Sequence, residues 1–218
     1  MHIKEMFYSF QGEGPWVGYP QIFIRFYGCN IHCAYCDEPD FVEQRHNYTS
    51  EKVLEEIQPW VAKKPHSISI TGGEPLIQVA ALKDLLPQLP LPVYLETNGT
   101  LPKHLAEVLP WITYASVDYK TGFQAEFTDF MAQLKDLPGA FVKYVLVRDF
   151  PIQDIQNIVK IMSALNPAMP FVIQPVTPFA EVKHKAKPED ILRAYTLASK
   201  HLSDVRIIPQ THKFIGIR

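Results

Sequence analysis

Residues 21–36 read "QIFIRFYGCNIHCAYC", an alternating stretch that runs directly into a loop carrying all three cysteines of the chain. In its first half Ile22, Ile24 and Phe26 fall on one face and Phe23, Arg25 and Tyr27 on the other, the period of two that marks a β-strand. Further strand-like runs follow at 66–73, 92–99, 111–119, 140–147, 170–176 and 204–209. Between them lie helical patterns over 50–63, 79–86, 103–109, 128–137, 152–165 and 189–201. Strands separated by helices pair in parallel through crossovers, which makes the chain an α/β protein. Pro151 and Pro188 sit where a first-turn proline is tolerated, whereas Pro59 is expected to end or kink the first helix early.

Pattern alone leaves two architectures open, a doubly wound open sheet and a full or partial β/α barrel. Both place functional residues at the carboxyl ends of parallel strands. Unusual residues recur there: Cys29, Thr71 to Glu74, Glu96 to Asn98, Asp118 to Lys120, and Gln174. Their recurrence points to one shared site. No repeat, low-complexity tract or flexible linker divides the chain, so residues 1–218 are expected to form a single domain.

With 47% hydrophobic and 20% charged residues, the composition is that of an ordinary soluble globular protein. No apolar run approaches the roughly 20 residues that span a bilayer, and "MHIKEMFYSFQGEG" lacks the basic-then-apolar order of a secretory signal. The expected location is cytoplasmic, away from membranes. A formal net charge of −2 argues against a grip on nucleic acid, which works by neutralising phosphates. Lys183, His184, Lys185 and Lys187 form one basic cluster, read as a solvated loop or as a dock for an acidic redox partner.

Three closely spaced cysteines do not make a disulfide framework and suit a reducing compartment. The C-x3-C-x2-C spacing of Cys29, Cys33 and Cys36 supplies three thiolates from one loop. That is one short of a closed zinc site but enough for three irons of a four-iron cluster, leaving the fourth iron open to a small molecule. A zinc site completed by His32 or a remote histidine, and thiols with no metal, stay open on spacing alone. In "TGGEP" (71–75) the glycines let backbone approach a ligand closely, and Glu74 offers an acceptor for an ammonium group; the bland reading is a tight turn. Glu96 and Asn98 point the same way from the end of one strand. Arg25, near the end of an apolar strand, wants a bidentate anion, from a ligand or from a structural ion pair.

Together "CNIHCAYC" and "TGGEP" resemble the radical S-adenosylmethionine (SAM) superfamily. The landmarks "FQGEG" (10–14), Arg25, "ETNGT" (96–100) and "PQTHKFIGIR" (209–218) narrow the resemblance to its 7-carboxy-7-deazaguanine synthases, over nearly the whole chain. The resemblance implies an incomplete, modified (β/α)6-type partial TIM barrel and a homodimer. It implies a carbon–nitrogen lyase that turns 6-carboxy-5,6,7,8-tetrahydropterin into 7-carboxy-7-deazaguanine and ammonia, in queuosine precursor biosynthesis. The implied cofactors are a [4Fe–4S] cluster on Cys29, Cys33 and Cys36, SAM and a magnesium ion, with a flavodoxin-like electron donor.

By the same resemblance Tyr35, Asp37, Gly73, Glu74, Glu96, Asn98, Asp118, Tyr119, Lys120 and Gln174 would meet SAM. Phe10, Gln11, Gly12, Glu13, Arg25, Thr71 and the end of the chain at Arg218 would meet the pterin, with His212 and Lys213 in support. The chain departs from the family after the last cysteine. The family has Cys-Asp-Thr there, the threonine binding magnesium, whereas "CDEPDF" puts Glu38 at that position and adds Pro39 before Asp40. Carboxylates suit a hard divalent cation, so Glu38 and Asp40 are the candidate magnesium ligands. Within the superfamily the rival reading is a glycyl-radical-enzyme activase, which leaves "FQGEG" and "QTHKF" unexplained. Outside it, the rival is a non-catalytic zinc-binding or iron–sulfur electron-transfer module.

Overall fold

The period of two read along residues 21–27 extends across the sheet and sorts each long parallel strand into an apolar and a polar face. The computed structural model describes residues 1–37, 46–179 and 181–218. In chain order these fold as β1 (His2–Phe10), β2 (Pro20–Phe26), β3 (His46–Asn47), α1 (Ser50–Val61), β4 (Ser67–Gly72), α2 (Val79–Leu85), β5 (Val93–Thr97), α3 (Pro102–Val108) and β6 (Ile112–Asp118). Then come α4 (Gln124–Leu134), β7 (Gly139–Leu146), α5 (Ile152–Leu165), β8 (Phe171–Pro175), α6 (Pro188–Ala198), β9 (Val205–Ile207) and α7 (Thr211–Ile215). They build a nine-stranded sheet of order β3-β1-β2-β4-β5-β6-β7-β8-β9. From β2 to β9 all pairs are parallel, while β1 runs antiparallel to β2 and β3 to β1. Among the described residues β3 and β9 are the two edges, so the architecture is an open, partial β/α barrel.

One face of every parallel strand is apolar. Ile22, Ile24, Ile68, Ile70, Leu95, Ala115, Val117 and Val142 belong to one core with residues of α1 to α6, among them Val53, Leu82, Leu105, Phe130, Ile158 and Ala194. Ile68 and Ile70 are wholly buried, and each such side chain contributes about 1.5–3 kcal/mol through removal from water. The opposite, concave face carries Ser69, Thr71, Glu96, Ser116, Lys143 and Gln174 at the alternate positions. Its amino-terminal half is filled by Tyr94, Phe141 and Val172, capped by Trp16, Tyr114 and Ile208. Trp16 packs edge-on to Tyr114 at 4.7 Å. Gly14, at φ +66°, lets the loop lie on the Phe141 ring, where a Cβ would come within 2.4 Å. Residues 14–19 thereby plug one end of the half-barrel, and the site lies toward the other. No described helix is long and apolar enough to cross a membrane.

The structure departs from the sequence reading at several places, the two-residue β3 among them. β1 was not expected, because a register shift between Ile3 and Glu5 breaks its alternation. α7 has only five residues, too few to show a helical period. α4 starts at Gln124, four positions before the expected 128, with Phe127, Phe130, Met131 and Leu134 making its buried stripe. Pro59 lies inside α1 without ending it, because it sits exposed in the last turn, where one lost backbone bond is tolerable.

Candidate active site

A cavity of about 1050 Å³ occupies the concave face, and Cys29, Cys33 and Cys36 line it together with the inward residues of β2 to β8. The cysteine loop is held by direct backbone contact with the turn after β4. Gly73 N donates to Phe26 O at 3.1 Å and Glu74 N to Gly28 O at 2.8 Å, so close that a Cβ on Gly73 would lie 2.0 Å from Gly28 O. Glycine is therefore required at 73 by packing. The end of β5 fixes the loop from the side: Asn98 Nδ2 donates to Asn30 Oδ1 at 2.9 Å and lies 3.9 Å from Cys29 Sγ. Asn30 in turn donates to Thr100 Oγ1 at 2.9 Å.

Glu74 does not face the cavity. It is fully buried beneath the turn and accepts from Leu76 N at 3.0 Å, Thr97 Oγ1 at 3.0 Å and Asn98 N at 2.7 Å. Burial outweighs these donors and pushes its carboxyl up to about 7. The expected ammonium acceptor is thus a brace joining the turns after β4 and β5. Tyr119 is also displaced from its expected place. Its ring packs edge-on against Phe127 at 5.0 Å inside the helix-side core, and its hydroxyl accepts from Asn157 Nδ2 at 3.3 Å. Asp118 and Lys120, one residue to either side, do line the cavity, as alternation demands. Lys120 Nζ is 3.2 Å from Asp118 and 5.1 Å above the Tyr35 ring.

A belt of paired charges crosses the cavity. The Lys143 ammonium contacts Glu13 Oε2 and lies 3.3 Å from Asp118 Oδ1. Burial alone would lower the Lys143 pKa, but Asp118 and Glu13 hold it well above its ordinary value. Gln210 Nε2 donates to Glu13 Oε1 at 2.8 Å and to Asp37 Oδ2 at 2.9 Å, and Lys213 Nζ donates to Asp37 at 2.6 Å. Burial pushes both carboxyls up, yet Lys143 beside Glu13 and Lys213 beside Asp37 bring them below the usual carboxylate range. Glu13, Asp37 and His212 have ligand atoms within 4.8 Å of one another, although these ammonium and amide donors already engage the two carboxylates. Glu38 and Asp40, the expected magnesium ligands, lie outside the described residues.

The other wall is built by residues 10–13, β2 and the chain's C-terminal segment. Gln11 Nε2 donates to Glu96 Oε1 at 2.9 Å, Ser69 Oγ to the same oxygen at 3.3 Å and Thr71 Oγ1 to Glu96 Oε2 at 2.7 Å, so Glu96 ties three side chains together. Arg25 pairs with Glu5 at 2.7 Å, with its guanidinium 5.0 Å from the Phe7 ring centre. Arg218 pairs with the other oxygen of Glu5 and lies 4.8 Å from the same ring. Thr211 N donates to Gly12 O at 2.9 Å, and Ser9 Oγ to Arg218 O at 2.6 Å. The tail is therefore fastened over the site at both ends. Phe10, Gly12, His212 and Lys213 line the cavity with it. Gln174 is 2% exposed in the cavity wall, and its Oε1 has no hydrogen-bond partner among the described residues, a state that a polar ligand would relieve.

Sequence reasoning missed Lys143, Gln210 and Glu5. Lys143 had a usable signal: in "AFVKYVLV" it shares phase with Phe141 and Val145 on the inward face, a lone charge on an apolar strand, as Arg25 is. Gln210 and Glu5 carry no signal until the tail is docked.

An open β/α barrel with a three-cysteine loop at the carboxyl end of its first parallel strand defines a class. The sequence profile of the radical SAM superfamily matches residues 23–160, so the chain is a radical SAM protein. It is 35% identical to the 7-carboxy-7-deazaguanine synthase of Geobacter sulfurreducens over 98% of this chain and 96% of that one. It is 34% identical to the enzyme of the same name from Methanothermobacter thermautotrophicus over 99% and 97% of the two chains. The crystal structure of QueE from Escherichia coli shares the fold, with a TM-score of 0.66 at 24% identity over 97% of this chain and 94% of that one. The chain belongs to the 7-carboxy-7-deazaguanine synthase family.

Membership of the superfamily implies a [4Fe–4S] cluster and SAM, and the residues present fit both. The thiols face a cavity large enough for a nucleoside cofactor and a bicyclic substrate, and Gln174 offers it an unsatisfied buried oxygen. Among the described residues the three cysteines do not form a group at the spacing of a single-ion site. Cys29 is exposed as a residue, yet partial desolvation of its sulfur pushes the thiol up, a shift that metal ligation reverses by taking the thiolate.

Proposed function

We propose that this chain converts 6-carboxy-5,6,7,8-tetrahydropterin to 7-carboxy-7-deazaguanine with loss of ammonia. The observation that carries the reading is convergence. The cysteine loop, residues 10–13, Arg25 and the docked tail, which are separate in sequence, all line one cavity. The cluster and SAM, held there, would supply the radical chemistry of hydrogen-atom abstraction and return.

The chain's residues divide the cavity. On the cofactor side Cys29, Cys33 and Cys36 would hold the cluster, while Tyr35, Asp37, Gly73, Asn98, Asp118, Lys120 and Gln174 would surround SAM. Glu74 acts from below by setting Asn98. On the substrate side Gln11, Gly12, Glu13, Thr71 and Arg25 hold the pterin. Glu13, kept ionised by Lys143, is a fixed acceptor for its amino and ring N–H groups. Arg25, oriented by Glu5 and Phe7, presents a fork for its carboxylate. The tail covers the site and excludes water.

Magnesium bound through Glu38 or Asp40, a homodimer, a flavodoxin-like electron donor and a cytoplasmic location complete the proposal. The test is an anaerobic assay of the reconstituted protein with the pterin, SAM and dithionite, followed by mass spectrometry. Expected is a product lighter than substrate by one ammonia, with SAM not consumed in proportion. SAM cleavage without that product would overturn the substrate assignment. Chelation in the same assay should cause a large loss of rate restored by magnesium; an unchanged rate would remove the metal from the proposal.

A further inference from the structure

The wall of the cavity that bears Cys33 has an outer side. A second concavity of about 590 Å³ lies against it, and Ile31, His32, Cys33, Tyr35 and Lys120 line both spaces. A single layer of residues thus separates the cluster position from the surface. The outer rim comes from the turn after β7, with Arg148 and Asp149, and from the segment before α6, with Lys183 and His184. Arg148, Lys183 and His184 are exposed. Arg148 Nε donates to Lys185 O, which joins the two segments, and Asp149 is already paired with Lys187 at 2.6 Å. The exposed acid next to the rim, Glu181, is outnumbered by Arg148, Lys183 and Lys185. This cationic face stands on a chain whose net charge is −2.

We infer that this groove is the docking surface for a small acidic one-electron carrier protein, which delivers its electron to the cluster through the Cys33–Tyr35 wall. The inference rests on the radical SAM reading. One electron leaves the reduced carrier and enters the oxidised cluster, so the balance needs no other reactant. Charge decides the occupant. A cationic rim beside a redox centre raises the encounter rate of an anionic partner by 10-fold or more, and electron-transfer encounters are small and weak, as a shallow groove permits. A neutral or cationic carrier gains nothing from the rim.

The probe is a purified acidic flavodoxin. Double charge reversal Arg148→Glu with Lys183→Glu should lower flavodoxin-driven SAM cleavage about tenfold or more at low salt and flatten its salt dependence. Binding of flavodoxin to the cluster-free protein, read by calorimetry, should weaken by a similar factor. Dithionite, which needs no dock, should drive parent and variant at equal rates. The neutral pair Arg148→Gln with Lys183→Gln should fall between, and reversal of the distant exposed Lys103 and Lys200 should change nothing. Parent-like flavodoxin turnover in the reversed variant, or equal loss from the distant pair, overturns the assignment. So does loss of dithionite-driven cleavage in the variant, because it would place the two cations in the site itself. Failure of the parent to cleave SAM with dithionite is a different result, and it would overturn the radical SAM reading on which the docking surface depends.

Discussion

Two buried ionisable side chains organise the site, Lys143, which the sequence reading passed over, and Glu74, which it placed in the cavity. Lys143 is 7% exposed and neutralises carboxylates from two different walls, Glu13 and Asp118. Its replacement by methionine keeps the bulk, takes the ammonium from Glu13 and leaves Asp118 with Lys120 alone, and breaking a buried pair in this way costs about 3–5 kcal/mol. Lys143→Met should therefore lower the melting temperature of the cluster-free protein by on the order of 10 °C. It should also reduce turnover with dithionite, and a variant that melts with the parent would show that the pairs contribute no net stability. Glu74 works in the opposite sense. Its folded pKa of about 7 lies above the unfolded value, so its contribution is complete below about pH 4.5 and is lost as pH rises through 7. The loss amounts to on the order of 3 kcal/mol at most. Glu74→Gln cannot accept from all its backbone donors and should be less stable at pH 5, yet its stability should decline less between pH 5 and 8. Denaturant titrations at both pH values measure this, and parallel pH slopes for parent and variant would sink the assignment.

At the scale of elements, the tail and residues 10–13 act as one lid. Thr211 binds Gly12 O through both its N–H and its hydroxyl, and a Cβ on Gly12 would lie 2.1 Å from His212 Nδ1 and 2.6 Å from its Cβ. Gly12→Ala should therefore push α7 off the site while the sheet, whose core lies on the other face, stays folded. Raised KM for the pterin by about tenfold or more, with unchanged iron content and melting temperature, is the expected signature; an unchanged KM would mean that the tail does not close on substrate. The same elements mark where sequence ceased to be legible. The parallel strands were readable because one apolar face alternates cleanly, and α5 was readable over its full length because Ile155, Ile158, Val159 and Met162 keep a helical period. β1, with its broken register, and α7, with five residues, have no period to read. At the site, Cys29, Cys33 and Cys36 were legible from spacing, and Arg25 from its isolation. Glu74 and Tyr119 were assigned to the cavity by the family resemblance, Glu74 also as an acceptor for an ammonium group. Burial and alternation turned both away. The Glu38 and Asp40 positions lie outside the described residues, so their part in metal binding rests on the chelation assay.

For the whole molecule, stability and chemistry occupy opposite faces of one sheet. The contiguous apolar core lies on the helix side, and the cavity with its cysteines lies on the concave side. Cys29 is exposed and Cys33 and Cys36 are partly so, which means that none is a packing element of the core. Small zinc domains behave differently, because there metal binding is the folding energy. Here the cluster-free chain should fold on its own core. Replacing all three cysteines with alanine should abolish iron incorporation, yet leave the circular dichroism spectrum and the melting temperature of the cluster-free protein within about 2–4 °C of the parent, a shift worth about 1 kcal/mol. Ile70→Ala, on the wholly buried face of β4, should do the reverse: it costs about 2–5 kcal/mol of stability while leaving the cluster ligands in place. Should the cysteine-free chain fail to fold, the two faces are not independent, and the cluster would have to be counted among the structural elements of the half-barrel.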